Sequence, residues 1–468
     1  MDSKKLAEFF DVAAKERDRW IKKNWYYNKK IIDLIKFHIP PGRNVLEIGC
    51  GTGVLLNSLS PKEGIGIDFS PEMTKIASKK YPRLRFITAD AADYKLDEKF
   101  DYIVITDTIG YFEDIQKVLR NIRQNCTNKT RIIITSYNYL WEVLFKLAEI
   151  LGLKMKQPLT NWLSTRDIEG LLYLEEFDVV QRGEKILIPV YFPLLTKFFN
   201  KYLANLPLIK KLCLVQYAIA RPVNLEPRGE KSVSIIIPSK NEEGHIEKIV
   251  KALPALGIKT EIIFVEGGSK DNTWQEIIRV AKEYNEKDIK FAKQDGKGKA
   301  DAVRKGFEMA CGDILMIYDA DMTVLTTELI KFYEAIVSGK GELINGSRLV
   351  YPVEKQAMRM LNLLGNKIFS MVFTWLLNQR IKDTLCGTKV ISKENYDILK
   401  RNREYFGNFD LWGDFDLLLG ASKMNLKIVE VPVRYRERTY GSSNMKRLAH
   451  GWLLLKMCFF AMRKIKFI

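Results

Sequence analysis

Histidine is nearly absent, with three in 468 residues, and the six cysteines (Cys50, Cys126, Cys213, Cys311, Cys386, Cys458) form no C-x-x-C pair. Without a Cys or His cluster there is no ligand set for structural zinc, and scattered cysteines predict a reducing cytosol with no disulfide framework. Long apolar runs are missing too. The longest, Met360–Leu377, is broken by Asn362, Asn366, Lys367 and Ser370 at near-helical spacing, which predicts an amphipathic helix, not one that crosses a bilayer. The chain opens with Lys4, Lys5 and alternating charges instead of a basic segment and an apolar core, so the expectation is a protein that is not exported. No internal repeat or low-complexity tract stands out. Acid is the scarcer charge, 57 residues against 75 Lys and Arg, for a net charge of +18. That excess calls for nucleic acid, anionic lipid or a phosphate-bearing substrate. Residues 434–468 carry nine Lys or Arg against one Glu, interleaved with Trp452, Phe459, Phe460 and Phe467. The mixture suits a membrane surface better than a nucleic-acid groove; the alternative is a solvated basic face on a core helix. In Leu448–Phe460 and just beyond, Leu448, Trp452, Leu455, Phe459 and Met462 recur at helical intervals. In-plane membrane attachment through this segment and Met360–Leu377, and burial of both as interdomain helices, stay open together.

What is present is ordinary folded material, 47 % hydrophobic and 28 % charged, in a chain longer than one core usually organises, so two domains are expected. Strand-like runs at Val45–Ile48, Ile65–Ile67, Arg85–Ile87, Tyr102–Ile105 and Arg131–Thr135 are separated by helix-length stretches. The rhythm restarts at Val233–Ile237 and continues through Glu261–Val265, Ile289–Ala292 and Ile314–Tyr318. This alternation predicts an α/β fold with two parallel sheets. Between them Ala220–Lys231 holds Arg221-Pro222, Glu226-Pro227 and Gly229 in a polar context. The expected organisation is a first domain over 1–222, a linker over 223–231, a second domain over 232–440 and a basic amphipathic segment over 441–468.

After its first strand the N-terminal half reads Glu47-Ile48-Gly49-Cys50-Gly51-Thr52-Gly53 and opens a helix at Val54–Leu59. Glycines let backbone approach a ligand closely, and a helix start offers free N–H groups to an anion. Nicotinamide, flavin and S-adenosylmethionine binders all use such turns. Asp68 closes the next strand at the distance where a carboxylate meets ribose hydroxyls, and Asp90 ends the third beside Ala91. The runs E-I-G-C-G-T-G, G-I-D-F-S and T-A-D-A resemble the class I S-adenosylmethionine-dependent methyltransferases over roughly 40–140. The resemblance implies a Rossmann-like fold with S-adenosylmethionine as cofactor. It places Gly49, Gly51 and Gly53 along the methionine moiety, Asp68 on the ribose and Asp90 near the adenine amino group, with Glu47 also among the cofactor-binding residues. Methyl transfer needs mostly proximity, so a base is optional. Asp107 or Tyr111, after the fourth strand, is available to assist deprotonation or to make local loop hydrogen bonds. The apolar, aromatic stretch Leu140–Phe199 fits a substrate lid or an interdomain surface.

The second half brings Ser234-Ile235-Ile236-Ile237-Pro238-Ser239-Lys240-Asn241-Glu242-Glu243, then Val265-Glu266-Gly267-Gly268-Ser269-Lys270-Asp271-Asn272-Thr273. Gly296-Lys297-Gly298-Lys299 follows, and a strand ending in Asp319-Ala320-Asp321. Two carboxylates one residue apart at a strand end suit a hard divalent cation that also holds a nucleotide diphosphate. The four blocks in order resemble the family 2 glycosyltransferases of the GT-A fold across about 232–440. This implies a nucleotide-sugar donor met by Pro238, Asn241, Glu242, Glu266, Asp271, Lys299, Arg438 and Ser443, with Asp319 and Asp321 addressing Mg²⁺ or Mn²⁺ and the donor phosphates. That family usually ends its second strand in two aspartates, where this chain has Glu266-Gly267.

Lys382-Asp383-Thr384-Leu385-Cys386-Gly387-Thr388-Lys389 and Trp412-Gly413-Asp414-Phe415-Asp416, after the amphipathic segment, look like the polyprenyl-phosphate sugar transferases. Their acceptor is a lipid phosphate at the membrane face. Arg434, Arg436 and Arg438 with Gly441-Ser442-Ser443 would then form a basic lobe over phosphate, although Asn444 stands where those enzymes carry Lys. A hydroxyl acceptor needs a general base, for which Asp414 and Asp416 are candidates, whereas a phosphate acceptor needs only positioning and the metal. The same pair also reads as a helix N-terminal pair favoured by the dipole. Two hypotheses follow: a bifunctional enzyme of cell-surface glycan or glycolipid assembly, peripheral on the cytosolic membrane face, or a transferase with a non-catalytic cofactor-binding module. A nucleic-acid methyltransferase is disfavoured, since the Gly-rich half shows no recognition motif.

Overall fold

The computed structural model describes residues 3–158, 161–223, 229–351, 360–406, 413, 415–438, 440 and 447–467. The chain divides into two compact units, one through residue 227 and one from residue 228 to 466.

In the first unit, apolar runs rich in β-branched residues become β1 (Val45–Ile48), β2 (Gly64–Asp68), β3 (Arg85–Thr88), β4 (Tyr102–Thr106) and β5 (Arg131–Tyr137). Two further strands, β6 (Phe177–Lys185) and β7 (Val215–Pro222), complete a sheet ordered β3-β2-β1-β4-β5-β7-β6. All pairs are parallel except those of β7, which runs against both β5 and β6. Side chains alternate between two buried faces. Leu46, Ile48, Ile103 and Ile105 enter one core, and Val45, Val104, Ile133 and Ile219 the other. Burial on both faces explains why these strands read as continuous apolar runs. Arg221 and Pro222, which opened the expected Pro-rich connection, are instead the last residues of β7, with Arg221 buried and ion-paired to Asp178 at 3.2 Å.

The second unit repeats the logic with β8 (Val233–Ser239), β9 (Thr260–Glu266), β10 (Asp288–Lys293) and β11 (Ile314–Ile317), parallel in the order β10-β9-β8-β11. The sheet continues through β13 (Lys389–Ser392), β12 (Leu343–Ser347) and β14 (Ile428–Pro432), with β13 antiparallel to both β11 and β12. Ile236, Leu315 and Ile317 face one core, and Ile235, Ile237 and Met316 the other.

The helices Met360–Leu377 and Arg447–Ala461 each present two faces. Phe373, Leu376, Leu454, Met457 and Cys458 are in the core, while Ile368, Met371, Trp452, Leu455 and Phe459 are exposed. The two readings of these segments are therefore not exclusive: one stripe packs and the other meets the surroundings. No helix among the described residues is long and apolar enough to cross a membrane.

A buried ion pair ties the far side of this sheet together. Arg348, just past β12, grips Asp383 through Nε at 2.7 Å and Nη2 at 2.9 Å, and Asn366 of the helix Met360–Leu377 donates to the same carboxylate at 2.8 Å. Burial alone would push the Asp383 carboxyl up, but the Arg348 guanidinium overcomes it and holds the group at about 2. Glu430 of β14 accepts the Lys382 and Asp383 amides at 2.9 and 3.0 Å, fixing the loop that leads to Gly387 and β13. Removing one charge of such a pair leaves the other buried and uncompensated. Asp383→Asn is therefore expected to cost about 3–5 kcal/mol, read as a lower denaturant midpoint for the second unit; an unchanged midpoint would show that the pair does not hold this loop.

Candidate functional site

Both sheets gather acidic side chains at the carboxyl ends of neighbouring parallel strands, where open α/β folds leave a crevice. In the first unit the edge carries, in strand order, Asp90 beyond β3, Asp68 closing β2, Glu47 and the glycine turn on β1, and Asp107 after β4. Gly49 has φ +73°, and a Cβ there would stand 2.4 Å from the Thr108 methyl, so this turn and the loop after β4 approach at a distance only glycine permits. Asp68 is buried and accepts the Gly51 amide at 2.8 Å and the Ser70 amide at 3.0 Å, while Asp90 is exposed and accepts the Ala92 amide at 2.8 Å.

Two features here were not legible in the sequence. The helix Ser3–Lys23 reaches the cofactor edge: Asp18 accepts the Thr52 hydroxyl at 2.8 Å and pairs with Lys80 at 2.6 Å, and Asp11 accepts the Ser70 hydroxyl and the Glu72 amide. Behind it lies a cavity of about 470 Å³ whose wall includes the Gly49–Thr52 turn, Asp68, Arg17, Asp107, Tyr111 and Tyr137. The second feature is the setting of Asp107. With φ +54° it is held by the Tyr27 hydroxyl on one oxygen and the Thr135 hydroxyl at 2.8 Å on the other, and burial raises its carboxyl above the usual range. The turn, the buried acid and the cavity suit S-adenosylmethionine: backbone donors for a carboxylate, an acceptor for ribose, and room beside them.

In the second unit the edge runs Glu266 on β9, Asn241 and Glu242 after β8, then Asp319 and Asp321 after β11. Asn241 takes φ +58° and accepts the Lys270 amide at 2.7 Å, locking the β8 turn to the β9 turn. Glu266 accepts the Ser269 amide at 2.5 Å, and Asp271 accepts the Thr273 amide at 3.1 Å. Pro238 lies within β8 itself.

Each carboxylate of the Asp-x-Asp pair meets a cation from another element. Lys299, at the start of the helix Lys299–Met309, sits 2.5 Å from Asp319; burial pushes that carboxyl up, and the ammonium outweighs it and holds it below its ordinary value. Arg438 bridges Asp321 at 3.0 Å and the buried Glu242 at 2.9 Å. The Thr323 hydroxyl donates to Asp321 at 2.8 Å, and an isolated bridge from Val324 to Tyr435 brings the Arg438 segment alongside. Gly387 completes the floor: a Cβ there would lie 2.0 Å from Asp319 Oδ2, so any larger residue would displace the Asp319 and Lys299 side chains. Asp416 belongs to a different set, with its carboxylate bound by Arg304 at 2.7 Å and Arg403 at 3.2 Å. Asp414, Ser443 and the Gly441–Ser443 lobe lie outside the described residues.

Among the described residues no third His, Cys, Asp or Glu joins the pair in a ready-made cage. Two hard oxygen ligands that leave the remaining positions to water and a diphosphate fit Mg²⁺ or Mn²⁺.

Comparison with known proteins assigns the two units separately. The family model for a methyltransferase domain matches residues 19–182, and that for glycosyl transferase family 2 matches residues 234–396. The dolichol-phosphate mannosyltransferase of Pyrococcus furiosus is 30 % identical over 46 % of this chain and 59 % of its own length. The UDP-N-acetylglucosamine–dolichyl-phosphate N-acetylglucosaminyltransferase of Methanococcus voltae is 27 % identical over 49 % of this chain and 98 % of its own. A further relative, from Methanocaldococcus jannaschii, is 35 % identical and likewise 59 % covered, so the chain spans little more than half the length of such relatives. The magnesium protoporphyrin IX methyltransferase of Synechocystis, solved with S-adenosylhomocysteine, aligns at TM-score 0.35 with 18 % identity over 47 % of this chain and all of that one.

Glu47 supplies a pH signature. It is buried, accepts the Leu56 amide at 3.0 Å, and burial pushes its carboxyl from 4.5 up to about 8. A folded-state value above the unfolded one means stability that is complete at low pH and is lost as pH rises through about 8. Glu47→Gln should therefore gain thermal stability relative to the native chain progressively between about pH 5 and 8; a difference independent of pH would show that Glu47 is not the raised group.

Proposed function

Because the chain joins a methyltransferase domain to a family 2 glycosyltransferase domain, we propose a bifunctional enzyme of cell-surface glycan or glycolipid assembly. One half transfers a sugar from a nucleotide donor to a lipid phosphate, and the other methylates a related molecule. The observation that carries the first activity is the convergence of Asp319, Asp321, Glu242 and Glu266 on one sheet edge with Lys299 and Arg438 among them. Asn241, Glu242, Glu266 and Asp271 would line the nucleoside side, and Asp319 and Asp321 would hold the metal. Bound there, Mg²⁺ or Mn²⁺ supplies charge neutralisation for the departing diphosphate. Lys299 and Arg438, which stand beside the two aspartates, would be within reach of the donor phosphates. The acceptor oxygen attacks the anomeric carbon in line, the bond to the donor phosphate breaks, and configuration inverts.

Asp416 supports the choice of acceptor. Arg304 at 2.7 Å and Arg403 at 3.2 Å both engage its carboxylate, which reads as a structural ion pair, and a phosphate acceptor, already anionic, asks for no base. Both relatives named above carry a dolichol or dolichyl phosphate in their names. The exposed stripes of Met360–Leu377 and Arg447–Ala461, with Trp452 and Phe459 beside Lys456, Arg463 and Lys464, seat this half peripherally on the cytosolic membrane face. Asp321→Asn should lower release of nucleoside phosphate product by about a hundredfold or more with the fold intact by circular dichroism. Unchanged turnover would remove the Asp-x-Asp site from the mechanism.

For methyl transfer, bound S-adenosylmethionine supplies an activated methyl group. The Gly49–Gly53 turn and Asp68 would orient it, and Asp107, raised by burial and steadied by Tyr27 and Thr135, takes the proton of an acceptor hydroxyl as the oxygen–methyl bond forms and the sulfur–methyl bond breaks, with S-adenosylhomocysteine as the leaving group. Asp107→Asn should abolish methyl transfer to extracted glycolipid while S-adenosylhomocysteine still binds by calorimetry. Retained methylation would leave Asp107 a loop residue.

A further inference from the structure

Strands β6 and β7 pair as an antiparallel hairpin, yet the connection between them, Ile186–Leu214, is far longer than a hairpin requires. It carries a short helix of its own, Leu195–Lys201. This one is folded with its polar groups inward. Thr196 is fully buried, accepts the Phe192 amide at 2.7 Å and donates to the Val190 carbonyl at 3.0 Å. Asn200 accepts the Leu187 and Ile188 amides at 2.7 and 2.9 Å. Its apolar residues point the other way: Leu194 is 85 % exposed and Leu208 81 %, with Phe192, Leu195 and Phe198 exposed beside them.

The helix Glu142–Ile150 shows the same inversion. Val143, Leu144, Leu147 and Ile150 are exposed, Ile150 to 78 %, and Leu144, Phe145 and Ala148 line the cavity that holds Asp107. Pro189 and Val190 of the long connection line it too. An outward apolar surface of this extent marks an interaction site, and here it borders the opening of a reaction chamber.

Charge selects the partner. Between Ile186 and Val215 the sequence has Lys197, Lys201, Lys210 and Lys211 and no acidic residue, and Glu142–Ile150 adds Lys146 against Glu142 and Glu149, which leaves the two segments together with an excess of three positive charges. Trp25 and Tyr191, with ring centroids 5.2 Å apart, and Tyr202 add amphipathic aromatics of the kind that settle at a headgroup boundary. Exposed leucines and phenylalanines with interspersed lysines match an anionic lipid surface.

We propose that Glu142–Ile150 and Ile186–Leu214 form a collar that seats the N-terminal unit on an anionic bilayer, and that the methyl acceptor is a membrane lipid whose hydroxyl-bearing head enters the cavity. The acceptor's apolar chain stays with the collar and the bilayer while its head reaches Asp107. The acceptor assignment rests on the methyltransferase reading of this unit; the bilayer seat stands on the surface alone.

The test places a probe on the collar itself. Of the six cysteines only Cys311 is exposed, so Leu194→Cys in a Cys311→Ser background accepts one environment-sensitive dye. Mixed with equimolar phosphatidylcholine–phosphatidylglycerol vesicles, the dye emission should shift to the blue, with less shift on phosphatidylcholine alone and loss of the shift at high salt. Adding Lys197→Glu and Lys211→Glu should weaken vesicle binding read by this dye about tenfold. No shift with either vesicle overturns the proposal, even if the chain sediments with lipid through its other half. A shift that follows protein concentration without lipid overturns it as well, by assigning the surface to a second copy. Calorimetry with S-adenosylhomocysteine separates the two readings: a normal blue shift without binding overturns the acceptor assignment together with the methyltransferase reading, and leaves the bilayer seat supported.

Discussion

Carboxylates grouped at the edge of a sheet repel one another, and everything at the second-unit site depends on how that repulsion is relieved. Asp319 and Asp321 follow a fully buried strand, and each is met by a cation delivered from outside the strand, Lys299 from a helix start and Arg438 from the segment beyond β14. The sheet alone therefore cannot make the site. It needs the Val324–Tyr435 bridge to bring Arg438 across, and the Arg348–Asp383 pair with Glu430 to set the loop carrying Gly387 against Asp319. A site edged by Lys299 and Arg438 also presents the cations that phosphate recognition uses.

The first unit relieves the same problem with dipoles. Asp68 is satisfied by backbone amides, Asp18 and Asp11 by hydroxyls, amides and a single lysine, and Asp107 by the Tyr27 and Thr135 hydroxyls. Neutral donors stabilise a carboxylate less than a guanidinium does, so burial prevails and the Asp107 and Glu47 carboxyls rise, where those of Asp319 and Asp383 fall. A raised carboxyl suits proton transfer; a lowered one suits holding cations. The two halves use one fold principle for opposite electrostatic ends.

Much of this was legible because it is local. Strand ends, glycine turns and the Asp-x-Asp pair are carried by contiguous residues whose periodicity and turn chemistry survive in one dimension, and β1 and the helix Met360–Leu377 fall where the spacing puts them. What was not legible is long-range. Strands β7 and β12 carry buried polar or charged residues such as Gln216, Arg221 and Asn345, whose burial is made acceptable by partners distant in sequence, Thr165, Asp178 and the Asp383 carbonyl. Asp383 lay inside a recognised motif, but its partner Arg348 had no local signal. Nor could the helix Ser3–Lys23 be placed over the cofactor edge, since Asp11 and Asp18 look like ordinary solvent-facing acids until Ser70 and Thr52 are beside them.

Backbone conformation points to the same places as the charges. Asp107, Asn241 and Met322 occupy the left-handed region, which a residue with a side chain takes up only against a cost of about 1–2 kcal/mol. All three sit in loops that leave the carboxyl ends of β4, β8 and β11, and Met322 lies between Asp321 and Thr323. For Asn241 the side chain helps, since its Oδ1 closes the turn on Lys270. For Met322 no such local bond exists by chemistry, and the conformation is held by Thr323 bonding back to Asp321 and by Arg436 donating to the Thr323 carbonyl at 2.9 Å. The Met322 conformation and the bonds that secure it hold the turn that carries Asp321 beside Arg438.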